Sequence, residues 1–178
     1  KEVSNDLIFA DSTGLELSAE KFLTASILFK DLLKSEIKTQ NVGLLLPSTA
    51  AGAFINYSLL LMGKTAVNLN YTSEIESIKQ SINEAKIKTL ITSKKFVEKL
   101  ELKGIILEEV FHMLELNYLE DLKPKISKRK SLFTFLSVKF LPSFLLKIIH
   151  LTKTNKDDTV LILFSSGSEG SPKGIELS

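Results

Sequence analysis

The sequence contains no cysteine and only two histidines, His112 and His150, which lie far apart along the chain. The lack of cysteine excludes a disulfide framework, a cysteine nucleophile and a thiolate metal site, and it fits a reducing compartment. Two distant histidines cannot build a histidine-rich metal centre. We therefore expect both to be structural or surface residues rather than catalytic ones.

Strong charge and long apolar runs are missing as well. The formal net charge of the 178 residues is +2, which is too small to indicate nucleic-acid binding, so we expect no nucleic-acid partner. No uninterrupted apolar run reaches the length of a membrane span. The chain starts without Met, shows no signal-peptide pattern and stops just after a strong motif. We expect it to be a fragment of a longer protein.

The residues that are present have ordinary globular usage, with 44% apolar and 25% charged side chains. Residues 7–17 predict two short strands around a turn, and Ser18 and Ser93 are predicted N-caps of the helices that follow them. Further short strands are predicted at 42–46, 65–69, 88–92, 110–114 and 160–164. They alternate with amphipathic helices, which predicts an α/β fold with a mostly parallel sheet and helices on both faces.

The last predicted strand is followed by a loop with the sequence Ser165-Ser166-Gly167-Ser168-Glu169-Gly170-Ser171-Pro172-Lys173-Gly174. Its glycines allow positive φ, so that successive backbone N–H groups can point at one anion. The serine hydroxyls add donors, and Lys173 adds a positive charge that suits phosphate oxygens. A Walker A loop is excluded because Pro172, not glycine, precedes the lysine. The pattern predicts a phosphate-binding loop of another kind.

This loop resembles the signature phosphate loop of the adenylate-forming superfamily, which includes acyl-CoA synthetases, luciferases and peptide-synthetase adenylation domains. The residues in register are Gly167, Gly170, Pro172, Lys173 and Gly174. Segments 42–47 and 66–72 resemble the early part of the same fold. Segments 85–93 and 118–122, with the Ser-Gly-Ser-Glu-Gly form of the loop, are most similar to the acyl-acyl-carrier-protein synthetase half of bifunctional 2-acylglycerophosphoethanolamine acyltransferase/synthetase enzymes.

The resemblance implies that residues 1–178 are a fragment of an N-terminal adenylation domain, with a basic apolar helical insert at about 122–156 and the phosphate loop at 165–174. In that family a fatty acid attacks the α-phosphate of ATP, with Mg²⁺ assisting, and pyrophosphate leaves. The thiol of acyl carrier protein then takes the acyl group, which passes on to a lysophospholipid. The full-length parent would act at the cytoplasmic side of the inner membrane. The fragment would be soluble and inactive alone, because later motifs are missing.

The resemblance also implies roles for individual loop residues. The β- and γ-phosphates of ATP would be held by Ser165, Ser166, Gly167, Ser168, Gly170 and Lys173, with Lys173 also the candidate catalytic residue. Glu169 belongs to the same ATP-binding loop but stands where many relatives have threonine. A carboxylate cannot donate to phosphate, so we expect Glu169 to point away or to order the loop. The Mg²⁺ ligand is expected outside this chain, which offers no metal site.

Residues 122–156 contain nine Lys or Arg residues and neither Asp nor Glu, and 132–149 is rich in Phe, Leu and Ile. Pro142 predicts a break between two short helices here. These helices could lie on an anionic membrane surface, or the basic surface could dock the acidic acyl carrier protein. In the third interpretation the apolar side packs on the sheet and the lysines are merely solvated.

Two other functions stay open on the sequence alone. An acyl-CoA synthetase would differ only in the thiol acceptor, which nothing in the sequence identifies. A non-catalytic module that binds a membrane or a carrier protein could have kept the fold and lost the reaction.

Overall fold

The computed structural model describes residues 6–11, 14–153, 155, 157–165 and 172–178. Its strands are β1 (Leu7–Ala10), β2 (Glu16–Ser18), β3 (Asn41–Leu45), β4 (Thr65–Asn68), β5 (Thr89–Thr92), β6 (Glu115–Tyr118), β7 (Leu161–Ser165) and β8 (Lys173–Leu177). Its helices are α1 (Ala19–Glu36), α2 (Ala50–Leu61), α3 (Ile75–Glu84), α4 (Lys94–Glu101), α5 (Glu108–Phe111), α6 (Leu119–Leu122), α7 (Lys128–Phe140) and α8 (Ser143–His150).

Contacts divide the chain into two compact units. The helical unit contains residues 1–38, 48–63 and 123–154. The sheet unit contains residues 39–47, 64–122 and 155–178.

In the helical unit, the antiparallel strands β1 and β2 lead directly into α1. The predicted N-cap of α1 is confirmed, since the Ser18 hydroxyl accepts a hydrogen bond from the backbone N–H of Lys21 at 3.4 Å. Helix α1 packs against both α2 and α7. The Ser58 hydroxyl of α2 lies 2.7 Å from the Phe54 carbonyl of its own helix and 2.9 Å from the Ser26 carbonyl of α1, so this buried donor has an acceptor on each helix.

Helices α7 and α8 form the basic apolar segment of the helical unit. Pro142 separates them and is the N-cap residue of α8, which confirms the predicted break. Among the described residues, no helix has both the length and the apolar content that crossing a membrane requires.

The sheet unit is built on a six-stranded sheet in the order β6-β5-β3-β4-β7-β8. The first five of these strands run parallel, and β8 runs antiparallel to β7. All four residues of β5, Thr-Leu-Ile-Thr, are buried and uncharged, as expected for an interior strand of a parallel sheet. The predicted parallel sheet is confirmed.

A glycine sets the packing of the central strand β3. A Cβ atom added to Gly43 would lie 2.9 Å from Leu90 Cδ1 and 3.0 Å from Ile87 Cγ2. Both neighbours are buried apolar side chains of the main core. The core therefore fills the space above Gly43, and no larger residue fits there without displacing it.

The prediction of a strand at 110–114 is wrong. Residues Glu108–Phe111 form the short helix α5, and the edge strand β6 begins only at Glu115. Val110 is buried in the core from a helical position, so its apolar character reflected packing rather than strand pairing. The true strand Glu115–Tyr118 contains Glu and Asn and no fully buried residue, which hides it from an apolar pattern. Strand β8, which follows the phosphate loop, was not predicted.

Candidate phosphate-binding site

The candidate site lies at the turn-side end of the β7–β8 pair. Strand β7 continues the parallel sheet beside β4, with Asn68 opposite Leu163. The chain leaves β7 at Ser165 and re-enters the sheet at Lys173, and these two residues are direct partners in the antiparallel register. Ligands of open parallel sheets bind outside the carboxyl ends of the strands, which is where this loop begins.

Ser165 and Lys173 face each other where the two strands meet the loop. Directly opposed residues of an antiparallel pair project to the same face of the sheet, with Cβ atoms about 4.5–5.5 Å apart. Both side chains are exposed. A hydroxyl donor and an ammonium group on one exposed face can bind neighbouring oxygens of a single phosphate chain. The arrangement is therefore suited to the phosphates of ATP.

The structure places only two of the predicted site residues. Ser166, Gly167, Ser168, Glu169 and Gly170 lie outside the described residues, and so does Ser171. Their assignment to the phosphate loop stays a prediction from the sequence.

The base of the hairpin is fixed by an aromatic–glycine pair. Phe164 lies opposite Gly174 in the register, and its ring packs against the main core. A Cβ atom on Gly174 would lie 3.2 Å from Cε1 of that ring. Gly174 therefore leaves the space that the Phe164 ring occupies, one position beyond the Ser165–Lys173 pair.

A small polar crevice of about 10 Å³ lies beside the hairpin. It is lined by Asn70, Ser73, Ser77, Ile78, Ser81, Phe164, Ser165 and Pro172. The Asn70 side-chain oxygen accepts hydrogen bonds from the Thr72 backbone N–H at 3.0 Å and from the Thr72 hydroxyl at 2.7 Å. This turn holds the segment after β4 next to the segment that begins the loop.

Asn70, Ser73 and Ser77 were not among the predicted site residues. Only the sheet topology could have indicated them. Asn70 follows the carboxyl end of β4, just as the phosphate loop follows the carboxyl end of β7. Strand neighbours cannot be assigned from the spacing of apolar runs, so the sequence did not indicate that these two ends meet.

The segment 118–122, which carried part of the resemblance, has a structural role within the sheet unit. The Glu120 carboxylate accepts hydrogen bonds from the Ser93 hydroxyl at 2.7 Å and from the backbone N–H of Lys94 at 2.9 Å, at the start of α4. Burial works to raise the pKa of Glu120, but these hydrogen bonds outweigh it and hold the pKa below the ordinary value. Asp121 forms an ion pair with the Lys94 ammonium.

Neither histidine belongs to the candidate site. The backbone carbonyl of His150 accepts a hydrogen bond from the Lys30 ammonium at 3.3 Å inside the helical unit. Burial and the Lys30 charge hold the pKa of His150 below its usual value, against the opposing effect of Asp31. His112 is exposed after α5. Within the ranges that the structure describes, no three His, Cys, Asp or Glu side chains are grouped so that they could hold a metal ion.

Comparison with known proteins gives a consistent result. A family model described as AMP-binding enzyme matches residues 30–178. The 4-coumarate–CoA ligase-like 6 protein of Arabidopsis thaliana is 29% identical over 137 residues, which cover 76% of this chain and 22% of that protein.

Solved structures share the fold at low identity. The O-succinylbenzoate coenzyme A synthetase MenE from Bacillus subtilis, in complex with AMP, matches with a TM-score of 0.68 at 15% identity over 98% of this chain and 39% of that one. The N-terminal subdomain of Klebsiella oxytoca NpsA matches with a TM-score of 0.68 at 15% identity over 97% of this chain and 38% of that one. This chain spans less than half the length of each of these relatives.

Proposed function

The chain belongs to the AMP-binding enzyme family, and from this membership we propose that its full-length parent is an ATP-dependent acyl-activating enzyme. The observation that carries the proposal is the register of β7 and β8, which brings the Ser165 hydroxyl and the Lys173 ammonium to one face at the carboxyl end of a parallel sheet. The α/β fold of this chain matches that of the N-terminal part of adenylate-forming enzymes.

In the proposed reaction, a fatty acid carboxylate oxygen forms a bond to the α-phosphorus of ATP, and the bond to the pyrophosphate oxygen breaks. Ser165, Ser166, Gly167, Ser168, Gly170 and Lys173 hold the β- and γ-phosphates during this step. Lys173 balances charge on the departing pyrophosphate, and the hydroxyl and backbone donors fix its orientation. ATP brings the adenylate leaving group for the second step, and Mg²⁺ would neutralise phosphate charge from ligands elsewhere in the parent.

For the second step we propose acyl carrier protein as the acceptor. Its phosphopantetheine sulfur bonds to the acyl carbon, AMP leaves, and the thiol proton passes to solvent. The proposal rests on the family resemblance of the Ser-Gly-Ser-Glu-Gly loop and of residues 118–122, since no residue of the chain identifies the acceptor itself. Transfer onward to a lysophospholipid completes the proposed activity of the parent. The coenzyme A ligase names of the similar proteins favour coenzyme A as the alternative acceptor.

The first experiment is fatty-acid-dependent ATP–pyrophosphate exchange by the full-length parent. Exchange should require the fatty acid and should fall about 100-fold or more in Lys173→Ala, as expected for a group that stabilises transition-state charge. Lys153→Ala, which removes an exposed lysine that is not part of the phosphate loop, is the matched control and should keep wild-type exchange. Absence of exchange with every fatty acid tested in folded parent would reject the enzyme and leave a non-catalytic binding module. A parallel assay with acyl carrier protein or coenzyme A identifies the acceptor.

A second proposal concerns α7 and α8, which we infer to contact an anionic membrane at the cytoplasmic side of the inner membrane. Their large exposed apolar side chains are Leu132, Phe133, Leu136, Phe140, Phe144, Ile148 and Ile149. Phe133 and Ile148 are each 73% exposed. Apolar side chains interleaved with lysines and no carboxylate suit a surface of anionic lipid.

Flotation with liposomes tests this contact. Phe133→Ser with Phe144→Ser should reduce binding to phosphatidylglycerol liposomes several-fold, because each buried aromatic contributes to the insertion free energy. Leu102→Ser with Ile106→Ser is the matched control, since these residues are 88% and 60% exposed in the sheet unit. Equal loss in both double variants would reject α7 and α8 as the contact.

A further inference from the structure

The helical unit contains an apolar groove of about 640 Å³ between α1 and the segment that runs from residue 123 into α7. This volume lies within the range of about 300–1,000 Å³ that is typical of small-molecule sites. The apolar lining side chains are Ala25, Leu28, Phe29, Ile126, Leu132 and Phe135. The groove belongs entirely to the helical unit and is separate from the phosphate site.

The ion pairs of the helical unit fix the direction of the groove. Lys125 pairs with Glu36 at 3.1 Å, and Lys130 pairs with Asp31 at 3.2 Å. As the residue number increases toward α7, the partner on α1 lies earlier in the chain, so α1 and α7 run antiparallel. Lys21 therefore lies at one end of the groove. Lys128 lies toward the other end, opposite about Leu33 of α1 in this register and therefore about 18 Å from Lys21 at 1.5 Å per helical residue, and Lys123 lies beyond it.

The end of the groove formed by Lys123 and Lys128 is strongly electropositive. No carboxylate lines the groove among the described residues. The nearby acids of α1 are already paired, because Asp31 binds Lys30 and Lys130. In the described part of the chain, neither Lys123 nor Lys128 has a carboxylate partner within 4.0 Å. The Ser131 hydroxyl lines the same end.

The first turn of α7 adds to this charge. It contains Lys128, Arg129 and Lys130 and no acid. Cations at a helix N-terminus oppose the helix macrodipole, which favours anions there. An anion at this position would relieve the repulsion and bind through charge-assisted hydrogen bonds.

We propose that this groove binds a long-chain fatty acid, with the carboxylate at Lys123, Lys128 and Ser131 and the acyl chain along the apolar floor of α1 toward Lys21. An apolar trough with about 18 Å between its charged ends accepts a long acyl chain, and the cationic end selects a chain with an anionic head. The choice of a fatty acid over another single-chain anion depends on the proposed function, whose substrate it is. The site would hold the acyl substrate before activation, outside the phosphate loop.

Calorimetric titration of this chain with dodecanoate tests the proposal without ATP. Dodecanoate should bind, whereas butanoate, which lacks the chain, and dodecanol, which lacks the charge, should bind at least about tenfold more weakly. Lys128→Gln should weaken dodecanoate binding about tenfold, the loss expected for one charge-assisted hydrogen bond. Lys153→Gln, which removes a lysine of the same basic segment outside the groove, should leave the affinity unchanged.

A second variant fills the groove at its apolar floor on α1. Ala25→Phe fills the groove and should abolish binding, and amide shifts on dodecanoate titration should centre on Leu28, Ser131 and Phe135 in the wild type. Equal affinity for dodecanol, or an unchanged affinity in Lys128→Gln, would overturn the assignment. Dodecyl phosphate bound at least about tenfold more tightly than dodecanoate would also overturn it, in favour of a phospholipid headgroup. If the parent shows no fatty-acid-dependent pyrophosphate exchange but dodecanoate still binds, the enzyme proposal is rejected and the groove is not. If the parent shows exchange but dodecanoate does not bind, the groove alone is rejected.

Discussion

The strands of the sheet unit and the helices α7 and α8 are both built from short apolar runs, yet they use those runs in opposite ways. Ile91 in β5 is completely buried, whereas Ile148 in α8 is 73% exposed. Lys139 and Lys147 interrupt the helical runs, and no charge interrupts Thr89–Thr92. Apolar content alone therefore does not specify burial. The placement of lysines among apolar residues separates a core strand from an exposed apolar helix surface.

The largest expected effect comes from truncating the same residue type in the two regions. Ile91→Ala should lower the free energy of unfolding by about 2–5 kcal/mol, because it leaves a cavity in a packed core. Ile148→Ala should change it by less than about 0.5 kcal/mol, since the side chain is already hydrated. Urea denaturation of both variants of this chain gives the comparison. Similar losses in the two variants would show that α8 is packed in solution and would remove the contrast.

Overpacking sharpens the same contrast inside the sheet unit. Gly43→Ala should lower the free energy of unfolding by about 1–3 kcal/mol, because the new methyl group meets Leu90 and Ile87 at 3.0 Å or less. Combining it with Leu90→Val, which removes the Cδ1 atom that lies nearest to the new methyl group, should cost less than the sum of the two single changes. Urea denaturation measures the unfolding free energies of the single and double variants. If the two losses simply add, the added methyl group does not press against this neighbour.

The parallel sheet was predictable because its strands are uncharged apolar runs followed by helix caps such as Ser93. Strand β6 was misplaced because an edge strand with Glu115 and Asn117 carries no apolar signal, while Val110 in a single helical turn does. For the site, the spacing of glycine, serine and lysine predicts a phosphate loop, and the structure describes only Ser165 and Lys173 of its predicted ligands. The crevice at Asn70 was not predicted, because which strand ends become neighbours depends on sheet order, and sheet order is a long-range property.

Two of the serine N-caps, Ser93 in the sheet unit and Ser127 at the start of α7, offer a smaller comparison between the regions. Ser93 accepts from the Phe96 N–H at 3.3 Å and Ser127 accepts from the Lys130 N–H at 3.2 Å, so the cap geometry is matched. Ser93 also donates to Glu120. Ser93→Ala should therefore cost about 1–2 kcal/mol and Ser127→Ala about 0.5–1 kcal/mol of unfolding free energy. A larger cost at Ser127 would show that α7 depends on its cap more than on packing.

The smallest effect is the pH dependence of the α4 cap. Burial tends to raise the pKa of Glu120, but the hydrogen bonds from Ser93 and the α4 backbone place it below the ordinary value. The folded state therefore holds the ionised carboxylate more strongly than the unfolded state does. The resulting stability is fully present above the unfolded pKa of about 4.3 and is lost as the pH falls through the folded pKa.

Glu120→Gln should consequently be less stable than the wild type at about pH 7, by no more than about 1 kcal/mol because the group is largely solvated. The difference should shrink on acidification below about pH 4, where the wild-type carboxyl also becomes neutral. Ser127→Ala supplies the contrast, since its cap has no carboxylate and its cost should not change with pH. Urea denaturation at a series of pH values measures both differences. A Glu120→Gln difference that stays constant with pH would mean that the carboxylate caps α4 through its shape and not through its charge.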